Sequence, residues 1–134
     1  MKEGNATPDS NKPEIIQRFE QMLESGLLYY FESQDYEEII EHYFEQNDPV
    51  KAMKAIELGI KQFPFNQIFN IKKAQILSLQ NRTQEALNLI SKVESLEGQS
   101  HELLLTKGGI YSQMGLSDQA IHCYKEAAKI NSDD

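Results

Sequence analysis

The sequence is poor in cysteine and contains no long apolar run. Its one cysteine, Cys123, excludes an intramolecular disulfide framework and fits a reducing compartment. No apolar segment approaches the roughly 18 residues that a membrane-spanning helix needs, and residues 1–12 lack the apolar core of a secretion signal. We therefore expect a cytoplasmic protein without a membrane partner.

Basic residues are also scarce. Lys and Arg number 13 against 21 Asp and Glu, which gives a formal net charge of −8. Affinity for phosphate backbones and for anionic membrane surfaces comes from clustered Lys and Arg. The composition therefore argues against a nucleic-acid partner. The negative charge lies mainly in the N-terminal half, with a net charge of −3 in residues 1–32 and −4 in residues 33–66.

Motifs of catalysis and of cofactor binding are missing as well. The sequence has no HExxH, no CxxC pair, no GxGxxG and no GxxxxGK[ST]. His122 and Cys123 are sequence neighbours that would point about 100° apart on a helix, which argues against a nucleophile–base pair. The spacing of His42, His101, His122 and Cys123 suggests no zinc site. We predict no enzymatic activity, no cofactor and no metal.

What the sequence does contain is a pattern that recurs in three successive segments. It consists of a small or apolar residue (Ile40, Ala74, Gly108), a large residue (Tyr43, Leu77, Tyr111), an alanine (Ala52, Ala86, Ala120), a second large residue (Ile56, Ile90, Tyr124) and a helix breaker (Pro64, Gly98, Ser132). Asn47, Asn81 and Gly115 also align, and these residue types tolerate the left-handed conformation that ends a helix. Every series advances by the same step, and a fixed period of about 34 residues indicates a helix–turn–helix repeat.

The pattern is clearest in residues 101–134. Small residues (Gly108, Ala120, Ala127) alternate there with large ones (Tyr111, Tyr124) along two helical stripes. Helices approach to about 8 Å only where small side chains face the contact. The segment therefore predicts a tightly packed helical hairpin.

On these residues the chain resembles the tetratricopeptide repeat (TPR) family. The resemblance extends over residues 33–134 as three units without insertion (33–66, 67–100 and 101–134). Asn70, Lys73 and Lys107 stand where the family usually has apolar residues, and Ile40 is bulkier than the usual residue. The resemblance implies an all-α fold, a right-handed superhelix, or solenoid, of three helical hairpins.

The pattern also predicts where the helices begin and end. Within the units we expect helices close to residues 34–46, 49–63, 67–80, 84–97, 101–114 and 118–130, with Ser33, Asp48, Thr83 and Ser117 as N-caps. Residues 1–12 are polar and are expected to form a disordered tail. Residues 13–32 are expected to form a helix that caps the first unit, followed by a connector whose run Leu27–Phe31 wedges between the cap and that unit.

The resemblance implies that the first helix of each unit lines a concave binding groove. The family geometry assigns to it Gln34, Glu37, Glu41, Phe44 and Glu45 in the first unit, Ile68, Ile71, Gln75, Ser78 and Leu79 in the second, and Glu102, Leu105, Gly109, Ser112 and Gln113 in the third. This set predicts a groove with an acidic mouth and an apolar middle. Glu37, Glu41 and Glu45, spaced i, i+4 and i+8, fit a solvated helix face equally well, and both interpretations stay open.

An acidic groove favours a basic or mixed basic–apolar peptide or helix as the ligand. One subgroup of TPR proteins holds the C-terminal carboxylate of chaperone tails with Lys, Asn and Arg. At the corresponding positions this chain has Glu37, Glu41, Glu102 and Thr106, with Lys72 as the one base. The departure implies that such acidic tails do not bind.

The last predicted helix carries apolar residues without a polar element after Ile130. Repeat arrays usually finish with a polar capping element, so we expect either a longer array of which this chain is the N-terminal part, or a surface that another molecule covers. The first hypothesis for function is an adaptor or scaffold that binds a protein in the groove. The alternative is self-association, with a possible homodimer through Ile121, Tyr124 and Ile130 of the last helix.

Overall fold

A computed structural model of the chain describes residues 11–132. In that range the chain forms seven α-helices and no strand: α1 (Glu14–Ser25), α2 (Ser33–Glu45), α3 (Pro49–Gln62), α4 (Ile68–Leu79), α5 (Thr83–Glu97), α6 (His101–Gln113) and α7 (Ser117–Ser132). The predicted all-α helical repeat is confirmed, whereas the superhelical path stays a prediction. Residues 1–10 of the expected tail lie outside the described residues.

The described residues divide into two compact units, with the boundary between Ala55 and Ile56. The first contains α1, α2 and the start of α3. The second contains the end of α3 and the hairpins α4–α5 and α6–α7. The predicted groove residues are therefore shared between two units, with those of α2 in the first and those of α4 and α6 in the second.

The turns at the ends of α2, α4 and α6 repeat one backbone geometry. Asn47, Asn81 and Gly115 have φ values of 55°, 62° and 80°. The amide after each donates to the carbonyl five residues earlier at 2.9 Å, in the pairs Asp48–Tyr43, Arg82–Leu77 and Leu116–Tyr111. This bond, with a left-handed residue before its donor, defines a Schellman motif. The prediction of left-handed residues at these three positions is confirmed.

The predicted N-caps are partly wrong. Asp48 does cap α3, because its Oδ1 accepts the amide N–H of Lys51 at 3.1 Å. Ser33 was expected to cap α2, but it is the first residue of that helix. Glu32 takes the cap in a reciprocal capping box, in which Asp35 accepts the amide N–H of Glu32 at 2.9 Å.

The same displacement of one residue occurs at two later helices. Thr83 and Ser117 are the first residues of α5 and α7 and do not precede them as caps. The carbonyls of Arg82 and Leu116 accept the amides of Ala86 and Ala120 at 3.0 Å, so each helix starts directly after the Schellman turn. The turn geometry, which the cap preferences of serine and threonine do not encode, fixes the start.

Aromatic side chains form the core of the first unit. The Phe31 ring lies 6.2 Å from that of Phe19 on α1 and 5.5 Å from that of Tyr36 on α2, with both pairs edge to face. In the run Leu27–Phe31, predicted to wedge between the capping helix and the first unit, Phe31 is buried, but Leu27, Leu28 and Tyr30 are exposed. Phe31 is therefore the buried anchor of the run, and the ring of the half-buried Tyr29 lies 6.5 Å from the Phe31 ring.

Branched apolar side chains and small residues form the core of the second unit. The buried cluster comprises Ile71, Ala74, Leu77, Ala86, Ile90, Val93, Leu103, Leu104, Ile110 and Ala127. In the α6–α7 hairpin the backbone of Gly108 lies directly under the Tyr124 ring, and a Cβ at Gly108 would stand 2.7 Å from that ring. This close approach is what the small residues predicted. Tyr124 nevertheless stays 42% exposed, so only one side of its ring is packed.

Candidate functional site

One candidate surface is the acidic face of α2, which we define as Glu37, Glu38, Glu41 and Glu45. The opposite side of the helix is buried through Tyr36, Ile39, Ile40 and Tyr43. Glu38, Glu41, Glu45 and the predicted Gln34 are exposed, while Glu37 and Phe44 are half-buried. The structure therefore gathers all five residues predicted in the first unit on the outward side of one helix.

The charge of this helix is unusually one-sided. Its 13 residues include five carboxylates, those of the acidic face and Asp35, but neither lysine nor arginine. Glu38 was missing from the predicted set, although its helical spacing from Gln34 and Glu45 could have identified it. Like charges three or four residues apart cost a few tenths of a kcal/mol per pair in an isolated helix. The packing of the buried side has to offset this repulsion.

A half-buried carboxylate of α1 orients α2. Glu20 accepts a hydrogen bond from Tyr43 Oη at 2.6 Å and another from Lys12 Nζ at 2.7 Å, and Lys51 Nζ lies 3.5 Å from its second oxygen. Burial alone would raise the pKa of Glu20, but these partners together hold its pKa below the ordinary value. Burial and the same carboxylate raise the pKa of the Tyr43 phenol. Sequence periodicity identified Tyr43 as a core position but could not show its partner.

A second candidate surface lies where α4 packs beside α6. We define the α4–α6 seam as Lys72, Gln75, Ser78, Glu102, Thr106 and Gln113. Lys72 Nζ lies 2.7 Å from the Glu102 carboxylate, and Gln75 Nε2 donates to Thr106 Oγ1 at 2.8 Å and to Glu102 at 3.3 Å. Gln75 and Glu102, both predicted as groove residues, thus bind each other.

The other end of the seam is equally well connected. The Ser78 hydroxyl donates to Gln113 Oε1, and Gln113 Nε2 donates to the Ser78 carbonyl at 2.8 Å and to Asn81 Oδ1 at 2.9 Å. The amide of Gln113 therefore ties the C-terminal end of α6 to the Schellman turn after α4. These polar groups hold two helices in register.

The apolar residues predicted for the groove occupy very different environments. Ile71 is 3% exposed and belongs to the core, so its side chain is not on the surface. Ile68 is half-buried against the same core, whereas Leu105 is exposed. At Gly109 an added Cβ would meet only Tyr124 Oη, at 3.9 Å, so there is space for a side chain at this position.

The residues predicted for self-association lie on α7, and they too include both exposed side chains and one that packs against the core. Ile121 is 50% exposed and Tyr124 is 42% exposed, whereas Ile130 packs against the core cluster. Ile121 and Tyr124 are three residues apart and share one side of the helix. The structure therefore leaves two large side chains of α7 available for contact.

Two of the residues considered for chemistry, Cys123 and His101, have structural roles. Cys123 is buried, and burial raises the pKa of its thiol. His101 Nδ1 lies 3.0 Å from the Ala127 carbonyl, so it links α6 to α7. Among residues 11–132 no group of three or more His, Cys, Asp or Glu could hold a metal ion. None of the helices in that range has the length and apolarity that crossing a membrane requires.

Comparison with known families agrees with this architecture. The sequence model described as "Tetratricopeptide repeat" matches residues 101–134. These are the α6–α7 hairpin and the third of the predicted units. No curated protein sequence matches the chain. The match supports the tetratricopeptide repeat assignment for this unit, residues 101–134.

Proposed function

We propose that this chain, in which residues 101–134 form a tetratricopeptide repeat, binds a basic or basic–apolar segment of another protein against the acidic face of α2. The repeat is typically a non-catalytic protein-interaction module, which supports a protein partner and argues against an enzyme. The observation that carries the finer proposal is the one-sided charge of α2, whose five carboxylates have no lysine or arginine among them.

The spacing of the acidic face suits an extended ligand. Glu41 and Glu45 are four residues apart on a helix, so they are about 6 Å apart along its axis. Alternate residues of an extended peptide are about 6.6 Å apart and point to the same side. A peptide with Lys or Arg at every second position can therefore place one cation near each glutamate. Opposite charges of this kind raise association rates and favour basic partners.

The half-buried Phe44 lies on the side of α2 that carries Glu37 and Glu41. An aromatic ring next to carboxylates gives an apolar side chain or a guanidinium a surface to lie on. This favours a ligand of mixed basic and apolar residues over a purely basic one.

The α4–α6 seam supports the exclusion of acidic tails. Lys72, the one base at the positions that correspond to the carboxylate-binding residues of the family, lies 2.7 Å from Glu102, and the side chain of Lys72 is 11% exposed. An incoming carboxylate would have to compete with Glu102 for this ammonium and would lie close to a like charge. We expect acidic peptides to bind far more weakly than basic ones.

A labelled six-residue peptide of alternating lysine and leucine tests the proposal. Its affinity would be measured by fluorescence anisotropy at about 50 mM and about 300 mM salt. The test variant and a control with the same loss of charge are Glu37→Gln, Glu41→Gln, Glu45→Gln and Glu24→Gln, Glu57→Gln, Glu97→Gln. We expect a Kd about tenfold higher for the test variant, since three charge contacts at the surface together contribute about 1.4 kcal/mol.

Equal loss of affinity in both variants would mean that only net charge matters, which contradicts a site on α2. Undiminished binding by the test variant would mean that these glutamates are merely solvated. A peptide of alternating glutamate and leucine serves as the acidic control. After the peptide measurement, a pull-down would compare wild type with one variant that carries Glu37→Lys, Glu41→Lys and Glu45→Lys. A protein retained by wild type and lost by this variant would be the natural ligand.

A further inference from the structure

The outward side of α7 is a second surface, separate from the acidic face of α2. We define the α7 face as Ile121, Tyr124, Lys125 and Ala128, which follow each other at i, i+3, i+4 and i+7 and are all exposed. It offers two large side chains, one small one and one cation. The side chains of Ala120, Cys123 and Ala127 pack inward, so the helix is amphipathic.

The equivalent positions on α5, one repeat earlier, show how the positions of the α7 face are used when a further helix follows. One repeat period before Ile121, Tyr124 and Ala128, the equivalent positions on α5 are Leu87, Ile90 and Glu94. Ile90 is fully buried in one cluster with Leu103 and Leu104 of α6, and Leu87 packs against that cluster. Glu94 lies 2.8 Å from Lys107 Nζ, also on α6. On α5 these positions receive a neighbouring helix, and on α7 the equivalent positions are exposed.

The Tyr124 side chain is already held in one position before any contact with a partner forms. Its ring lies on the backbone of Gly108, where even a Cβ would come within 2.7 Å, so one side of the ring is fixed against α6. The side chain is nevertheless 42% exposed, and its hydroxyl lies 3.9 Å from where a Cβ at Gly109 would stand. Tyrosines that are held in place in this way are frequent energetic centres of interfaces, because little side-chain entropy is lost on binding.

We propose that the occupant of the α7 face is a second copy of this chain, with the two α7 helices antiparallel about a two-fold axis between Tyr124 and Lys125. With the axis there, Ile121 of one copy faces Ala128 of the other, so a large side chain meets a small one. Tyr124 lies beside Tyr124 of the second copy, which gives an aromatic pair next to the axis, and the long Lys125 side chains on the other flank can extend into solvent. A two-fold interface requires this kind of self-complementarity.

The charges of α7 select the antiparallel orientation. Asp118 lies in the first turn of the helix and Lys129 in the last. An antiparallel pair places Asp118 of each copy close to Lys129 of the other, whereas a parallel pair would place like charges together. Lys129 also lies 3.1 Å from Glu126 of its own chain, and an ammonium with three donors can serve both carboxylates. Opposed helix dipoles favour the same orientation.

The size of the contact sets its expected strength. A helix of 16 residues is about 24 Å long, so two such helices form an interface below the roughly 1,200 Å² of stable complexes. We therefore expect a dimer with a Kd of about 10–100 μM, which forms and dissociates with protein concentration.

Sedimentation velocity from about 5 μM to about 500 μM tests the dimer. We expect the wild-type mass to rise towards twice the monomer mass. Ile121→Glu should stay monomeric, and Leu96→Glu, the same change at a 61% exposed site on α5, should behave as wild type. A wild type that stays monomeric throughout, or an Ile121→Glu variant that still dimerises, would overturn the proposal. Circular dichroism checks that each variant is folded.

Charge reversal and cross-linking test the orientation. Asp118→Lys should abolish the dimer, and Asp118→Lys with Lys129→Asp should restore it. In a Cys123→Ala background, Ile121→Cys and Ala128→Cys should each give little covalent dimer alone. Their mixture should cross-link with a bismaleimide that spans the interhelical distance of about 8–10 Å.

Efficient cross-linking of Ile121→Cys with itself would indicate parallel helices and contradict the antiparallel arrangement. No peptide is present in these experiments. Their outcome is therefore independent of whether the acidic face of α2 binds a ligand.

Discussion

The stripe of Glu37, Glu41 and Glu45 on α2 and the stripe of Ile71, Gln75 and Leu79 on α4 occupy equivalent positions in successive copies of the repeat. On α2 all three residues are glutamates on the outward side. On α4, Ile71 is in the core, Gln75 bonds to α6 and Leu79 is 72% exposed. The repeat therefore fixes the position of a residue in the hairpin, and the side chain decides between packing, helix pairing and surface charge.

The largest effect on the free energy of unfolding is expected when the buried position of the α4 stripe, Ile71, receives the glutamate that α2 has at the equivalent position. Ile71→Glu places a carboxylate where the native side chain is 3% exposed. A buried, unpaired charge typically costs about 3–5 kcal/mol, which is enough to unfold a small domain. We expect urea denaturation to show a variant that is largely unfolded in water.

The matched control is Leu79→Glu, two helical turns further along the same stripe. Because Leu79 is exposed, this change should alter the free energy of unfolding by no more than about 0.5 kcal/mol. If both variants lost stability equally, exposure would not be what distinguishes the two stripes.

The next effect concerns the middle position of the α4 stripe. Gln75→Ala removes the hydrogen bonds to Thr106 and Glu102 and leaves the buried Thr106 hydroxyl without this donor. We expect a loss of about 1–3 kcal/mol in the free energy of unfolding, measured with urea. Gln84→Ala, which removes an exposed hydrogen bond within α5, should cost much less. A loss below that of Gln84→Ala would mean that the seam contributes nothing to stability.

A smaller effect on the free energy of unfolding is expected from Glu20, the carboxylate of α1 that binds Tyr43 of α2. Because its partners hold the pKa of Glu20 below the ordinary value, the carboxylate contributes stability that is present above about pH 5 and is lost as the pH falls. We expect the unfolding free energy of wild type to fall more between pH 6 and about pH 3 than that of Glu20→Gln. Parallel pH profiles would show that the cluster around Glu20 is not coupled to folding.

The smallest effect is expected at the third equivalent of Glu41 and Gln75, which is Gly109. Gly109→Ala meets only Tyr124 Oη at 3.9 Å, so the helix should gain about 0.5–1 kcal/mol from the better helix former. Gly108→Ala has the same propensity gain, but its Cβ would meet the Tyr124 ring at 2.7 Å, so we expect a net loss. Thermal unfolding of the two variants gives the comparison, and equal shifts of Tm would contradict the close packing of the ring.

Sequence periodicity predicted the features that depend on the course of the backbone. The left-handed residues Asn47, Asn81 and Gly115 and the close contact at Gly108 follow from residue type and spacing, because few side chains are compatible with either geometry. The family match at residues 101–134 covers the unit in which these signals were clearest.

Features that depend on side-chain rotamers were not predictable in this way. Gln75 and Thr106 are 31 residues apart, and Glu20 and Tyr43 are 23 apart, so no local pattern joins them. Ile71 shows the same limit, because its position in the repeat is that of the half-buried Glu37. A small rotation of a helix about its axis is enough to move a side chain from the groove into the core. The repeat period gives the position of a residue along the chain but not this rotation.

The three Schellman turns have a consequence for how such a chain can change in length. The left-handed residues stand at 47, 81 and 115, so a deletion or duplication of one whole repeat moves one turn onto the place of the next. No turn loses its carbonyl partner, because the donor and acceptor of each bond are close neighbours in the sequence. An insertion of another length within a helix would leave these local turns intact but would rotate the following side chains away from the buried side of the helix. The backbone of this protein thus tolerates changes of length in steps of one hairpin.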